Sequence, residues 1–190
     1  MTQDISRFAL DKDQAVLVVV DVQERLIPSM PEDVYRQTLK NIRFLVEGAE
    51  KLQVPVVATE QYPRGLGHTV PELAHACKSH LVEKVSFGCC GEPKFLDCLK
   101  ELDRPQVIVT GMEAHVCVYQ TVLGLLGAGY RVHLVRDAVI SRGKLDYRNA
   151  LELCAQAGAT VTTAETALFQ LTGASTAPEF KAISNLVKNR

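Results

Sequence analysis

After a mixed polar start, the chain runs into "AVLVVVD" (15–21), an unbroken apolar stretch that ends in a carboxylate. A run of this kind marks a strand covered on both faces, as at the centre of a parallel sheet. "PEDVYRQTLKNIRFLVEGAEKLQ" (31–53) then changes to helical spacing, with Ile42, Leu45, Val46, Ala49 and Leu52 on one face. Pro31 suits the first helical position, and Glu32 and Asp33 suit the positive end of the helix dipole. The alternation continues to the end of the chain. Strands are predicted at 55–59, 81–87, 106–111, 130–138 and 159–165, and helices at 93–102, 115–129 and 144–158. The helix at 115–129 is apolar nearly all round and so should be deeply packed. Thr162 and Glu165 have capping-box spacing for a further helix. A last amphipathic segment, 177–190, carries Phe180, Ile183, Leu186 and Val187 on one face and is a candidate for docking against a neighbouring subunit. Between the second strand and the third, "EQYPRGLGHTVPE" (60–72) is rich in turn residues and reads as a loop.

Strict alternation predicts one α/β domain over 1–190: a doubly wound, Rossmann-like, mainly parallel six-stranded sheet with helices on both faces. In such sheets ligands bind outside the carboxyl ends of the strands, near the switch in strand order. The residues at those ends are therefore the candidates for function. The first strand contributes Asp21 and Gln23, the second Glu60, Gln61 and Tyr62, and the third Lys84, Ser86 and Phe87. The fourth contributes the loop from Gly111 to Cys117, which includes His115, with Tyr119 one turn further on. A carboxylate, an amine and a thiol share one rim.

Composition narrows the partners. The chain has 190 residues, 47% hydrophobic and 23% charged, with a net charge of −1. These are ordinary globular values, and they provide no basic face for nucleic acid. A small neutral or modestly charged molecule is the partner they leave. No apolar run approaches the ~18 residues of a membrane span, and the first residues lack the apolar core of a signal peptide. The reading is a soluble, cytoplasmic protein with no membrane partner. Six cysteines (77, 89, 90, 98, 117 and 154) contain no C-x-x-C and no paired histidine spacing, so reduced thiols are expected rather than a zinc site. The adjacent Cys89 and Cys90 make a poor disulfide pair.

Cys117 at the start of a helix, with Lys84 near it, would have a lowered thiol pKa and act as a nucleophile. Asp21 could take the thiol proton and return it to a leaving group. Backbone N–H groups in the loop before Cys117 could bind an oxyanion, since the first N–H groups of a helix lack internal partners. Each residue also has a plainer reading. A cysteine in an apolar helix ordinarily fills core. Asp21 could cap a turn, Lys84 could be a solvated edge charge, and His115 could be a loop residue. Sequence does not supply the distances that would separate the two readings.

Taken in order, "VVVDVQERLIP", "EKVSFGC" and "VIVTGMEAHVCVYQT" resemble the three motifs of the isochorismatase-like cysteine hydrolases, over about residues 14–188. "TEQYPRGLG" and "GMEAHVC" look most like the branch called isochorismatase domain-containing proteins. The resemblance implies an Asp21–Lys84–Cys117 triad and a non-proline cis peptide between Met112 and Glu113. That peptide would aim the N–H groups of Glu113 and Cys117 at the oxyanion. The resemblance also implies a homo-oligomer. Nicotinamidases in this family carry a metal on a D-x-H motif after the second strand. Here that loop offers only His68, so no metal and no cofactor are expected, and nicotinamide is a less favoured substrate. True isochorismatases replace the cysteine, so Cys117 argues against vinyl-ether cleavage. The Thr-Asp pair usual ahead of the nucleophile is Ala114-His115 here. The leading expectation is a metal-independent hydrolase of a small amide or related C–N bond working through an acyl-thioenzyme, with Gln23, Tyr62, Phe87, His115 and Tyr119 lining its pocket. A catalytically silent binding or scaffold protein is the alternative. A dinucleotide-dependent oxidoreductase is disfavoured, because the first strand runs into "DVQERL" without a G-x-G-x-x-G turn.

Overall fold

In the computed structural model, which describes residues 5–190, the first apolar run forms β1 (Ala15–Val20), and every residue of it is buried. Residues 1–4 of the expected 1–190 domain lie outside the described residues. β1 is flanked by β2 (Val56–Gln61) and β4 (Gln106–Met112). β3 (His80–Lys84) pairs with β2, β5 (Arg131–Ile140) with β4, and β6 (Thr160–Thr162) with β5. The order is β3-β2-β1-β4-β5-β6 and every pairing is parallel. The chain therefore changes direction across the sheet between β1 and β4, the place where doubly wound sheets hold their ligand crevice at the carboxyl ends of the strands.

Alternate residues of β1 serve opposite faces. Leu17 and Val19 pack with Ile42, Leu45 and Ala49 of α1 (Glu32–Lys51), Leu168 of α6 (Ala164–Thr172) and Ile183 of α7 (Phe180–Lys188). Val16, Val18 and Val20 pack with Phe95 and Leu99 of α3 (Pro93–Leu102), Val122 and Leu125 of α4 (Tyr119–Gly127) and Leu151 of α5 (Lys144–Ala157). A short α2 (Pro63–Leu66) lies in the loop after β2. Each fully buried Leu, Ile or Phe stabilises the fold by roughly 1.5–3 kcal/mol, which gives the rim a rigid base. Among the described residues no helix is long and apolar enough to cross a membrane.

One backbone contact at the switch point requires glycine. Gly111 has φ +113°, and a Cβ there would lie 2.0 Å from the Val20 carbonyl oxygen. Without a side chain, β4 can close on the end of β1.

Several boundaries differ from the sequence pattern, each for a local reason. β3 stops at Lys84 rather than 87, because the carbonyls of Ser86 and Phe87 turn back to accept from the Lys84 amine. Pro31 is the cap of α1 and not its first residue. Thr163, not Thr162, caps α6: Thr162 stays in β6 opposite Val135, while Asp137 Oδ1 accepts from the Ala164 N–H. Ahead of α4, Ala114–Val118 winds as a wider π-helical turn. α7 packs within the chain, with Ile183 fully buried and Leu186 and Val187 against the same core, so this face is not left for a neighbouring subunit.

Candidate active site

Asp21 is the first residue past β1. Its N–H donates to Thr59 O (3.1 Å), and its backbone is left-handed (φ +47°), a conformation that Asp tolerates better than most residues. The side chain is fully buried. Oδ1 accepts from Thr59 Oγ1 (2.7 Å) and Oδ2 from Lys84 Nζ (2.7 Å). Lys84 ends β3 opposite Gln61, and its two other amine protons go to Ser86 O (3.0 Å) and Phe87 O (2.9 Å). All three donors of a buried ammonium are used, the condition under which a desolvated ion pair can persist. The solvated-edge reading of Lys84 and the simple turn-cap reading of Asp21 do not match this geometry.

Cys117 comes from the other side of the crevice. The Met112–Glu113 peptide is cis. Glu113 O then accepts from the N–H groups of Val116 (3.0 Å) and Val118 (3.2 Å), and the Glu113 carboxylate accepts from Arg142 N (3.0 Å). This turn delivers a sulfur that is nearly enclosed, with the residue 4% exposed, and that donates to Gln61 Oε1 at 3.6 Å. Burial pushes the Cys117 thiol well above its usual range, the Asp21 charge pushes it further, and Lys84 pulls the other way without prevailing. The expectation of a lowered thiol pKa is thus corrected. The amine of Lys84 is committed to Asp21 and two carbonyls, and the helix start is wrapped in core, so the sulfur rests as a thiol beside a carboxylate.

The pocket-lining residues divide. Gln23 is corrected from pocket-liner to buried clamp. Its amide donates to Gln61 O (3.0 Å) and Gly67 O (2.7 Å), and its Oε1 accepts from Gln61 N (2.8 Å). Tyr62 and Phe87 are exposed on the rim, as is Val85. Tyr119 is half-buried and packs against the core. His115 is half-buried and shares a 3.0 Å hydrogen bond with Ser141 Oγ.

Two residues of the site, Thr59 and Cys89, escaped the pattern, and Gln61 was placed on the rim without its role. Thr59 holds Asp21, and nothing in "PVVAT" distinguishes it from an ordinary strand threonine. Gln61 lies on the rim by position, but its contact with the sulfur depends on the Gln23 clamp. Cys89 is wholly buried with Sγ 3.6 Å from Thr59 Oγ1, and burial pushes its thiol up to about 12. All six cysteines are free. In the loop after β2, His68 pairs with Glu60 Oε2 (3.0 Å), while Glu60 Oε1 accepts from Thr69 N (2.6 Å).

Isochorismatase domain-containing protein 1 of Danio rerio is 37% identical over 175 residues, which cover 92% of this chain and 61% of that protein. The chain thus spans about three fifths of that relative's length. A solved structure described as the MAR1 ribonuclease of Caenorhabditis elegans superposes with a TM-score of 0.89 at 37% identity, covering 95% of this chain and 92% of that one. The ycaC gene product of Escherichia coli, described as an octameric hydrolase of unknown specificity, has the same fold, with a TM-score of 0.83 at 20% identity over 100% of this chain and 98% of that one. Residues 15–166 match the family described as the Isochorismatase domain, and the chain belongs to that family.

Proposed function

We propose that the chain is a metal-independent cysteine hydrolase that cleaves a small amide or related C–N bond. Membership of the isochorismatase family supports a hydrolase. The observation that carries the finer reading is one crevice in which a buried, ammonium-held carboxylate faces a buried thiol. In this reading Asp21 takes the proton from Cys117 as the sulfur bonds to the substrate carbonyl carbon. Each oxygen of Asp21 already accepts one hydrogen bond and has a second lone pair for that proton. The N–H groups of Glu113 and Cys117 receive the oxyanion. When the C–N bond breaks, the proton on Asp21 leaves with the amine. Water then attacks the thioester, gives a proton to Asp21 and releases the acid, and the sulfur recovers its proton. Lys84 pairs with Asp21 and fixes its carboxylate. Gln61 holds the resting thiol, and Tyr62, Phe87, His115 and Tyr119 surround the substrate.

Metal independence is supported by the loop after β2, which offers one histidine, His68, and no Asp-x-His. We also place the whole of 1–190 in one domain. We propose a homo-oligomer whose contacts include the exposed Tyr62, Val85 and Phe87 of the rim. The scaffold reading is not favoured, because a scaffold has no use for a saturated buried ion pair aimed at a thiol. The name of the Caenorhabditis elegans protein suggests RNA as a second substrate class, but a net charge of −1 leaves little to bind phosphates.

The test is a panel of small amides and imides, assayed for released amine, with single-stranded RNA as a separate arm. Turnover of an amide by the wild type and none by Cys117→Ala, at unchanged melting temperature, supports the proposal. Equal turnover by Cys117→Ala, or cleavage of RNA alone, removes it.

A further inference from the structure

A cavity of about 530 Å³ opens between the first half of α1 and the end of β5. Its walls are Val34, Val139, Ile140 and the ring of Tyr147, and Ser141, Arg136 and Lys144 stand among them. The size and the apolar lining with a few polar groups are those of a small-molecule site. Its polar groups differ in how they are engaged. Asp137 is spent on Arg190 (2.9 Å) and on the Ala164 N–H (2.8 Å). Asn41 donates to Asp137 O and accepts from Gln37 and Arg190. Among the described residues, the charged ends of Arg136 and Lys144 have no carboxylate partner. The unmatched charge is positive, so the complementary occupant is an apolar body with one anionic end.

The wall of this cavity is tied to the turn that carries Cys117. Ser141 Oγ meets His115 Nδ1 at 3.0 Å, and the next residue, Arg142, donates its N–H to the Glu113 carboxylate at 3.0 Å. Both bonds run from the end of β5 to residues two and four positions before the thiol. We propose that this cavity binds a small apolar monocarboxylate, and that its occupancy is transmitted to Cys117 through the Ser141–His115 and Arg142–Glu113 hydrogen bonds.

The probe is phenylacetate, titrated into the full chain while the methyl signals of Val34, Val139 and Ile140 are followed. Phenylethanol and phenethylamine are the matched neutral and cationic probes. Saturable shifts at those methyls, with the acid about tenfold tighter than the alcohol, support the site. So does loss of binding in Val34→Trp, with Gln37→Trp on the same exposed face as a second blocking variant should the first be unstable. Loss of the preference for the acid when Arg136 and Lys144 are both changed to Gln assigns the charge. Equal affinities for acid and alcohol, shifts centred elsewhere, or no saturation by about 10 mM overturn the binding claim. The coupling is read separately, as the rate at which iodoacetamide alkylates Cys117. Saturating phenylacetate should change that rate about fivefold or more in the wild type and leave it unchanged in Gln37→Trp. An unchanged wild-type rate with binding intact overturns the coupling. Neither readout depends on whether the chain hydrolyses amides.

Discussion

Removing the amine of Lys84 tests the electrostatic framework of the site. Lys84→Met keeps a side chain of similar length and deletes a charge whose three protons go to Asp21 Oδ2, Ser86 O and Phe87 O. The Asp21 carboxylate is then left buried with Thr59 as its remaining side-chain partner among the bonds described above. Stranding one member of a buried ion pair costs about 3–5 kcal/mol, and two carbonyls losing a donor add about 1 kcal/mol. The expected loss is about 4–6 kcal/mol, a large part of the ~5–15 kcal/mol that holds a typical domain together. Adding Asp21→Asn to Lys84→Met removes the stranded charge and should recover at least about 2 kcal/mol. Urea titrations of the wild type, both single variants and the double variant close the cycle. If Lys84→Met costs less than about 1 kcal/mol, or if the two substitutions add without coupling, the pair does not organise the crevice and the reasoning fails.

Three further predictions concern other parts of the molecule. Gly111→Ala places a Cβ against the Val20 carbonyl at positive φ and should cost about 3 kcal/mol or more in chemical denaturation; a loss below about 1 kcal/mol would mean that the β1–β4 contact relaxes freely. His133 is fully enclosed with both ring nitrogens unpartnered among the described residues, and burial, with Arg131 a lesser cause, lowers its pKa from 6.5 to about 4. Its unfolded form binds a proton first as pH falls, so stability is full above pH 6.5 and declines towards about 4, by roughly 3 kcal/mol. His133→Leu should flatten that part of the stability curve, and an unchanged slope would assign it to other groups. Because burial and Asp21 both raise the Cys117 thiol, its alkylation by iodoacetamide should keep rising with pH beyond the range of an exposed cysteine. Asp21→Asn should move that profile to lower pH; a shift in the opposite direction would contradict the placement of Asp21 beside the sulfur.

The sheet was legible because its signals are local. A buried parallel strand is apolar along its whole length, as "AVLVVV" is, and the carboxyl ends of such strands point to the crevice whatever else the chain does. That was enough to bring Asp21, Lys84 and Cys117 to one rim. The way the three engage was not legible, because it depends on saturation across the sheet. Lys84 reads as a cation free to help a thiol until Ser86 O and Phe87 O are seen to take its other protons. The two glutamines of the rim carry the same pattern signal, yet Gln23 spends its amide on the backbone of Gln61 and Gly67, while Gln61 turns its own oxygen to the sulfur. The π turn at Ala114–Val118 leaves hydrophobic spacing almost unchanged, so periodicity reads it as plain helix. The choice of Thr163 over Thr162 as a cap depended on Asp137, a residue from another strand.

The central claim is that sulfur 117 forms a covalent bond to the substrate while Asp21 handles the proton. The most direct measurement is the mass of the Cys117-containing peptide from an amide reaction quenched in acid during its first turnover. The account predicts an acyl mass on Cys117 that forms in the wild type and fails to form in Asp21→Asn. An acyl mass on any other residue, or acylation undiminished in Asp21→Asn, would contradict it.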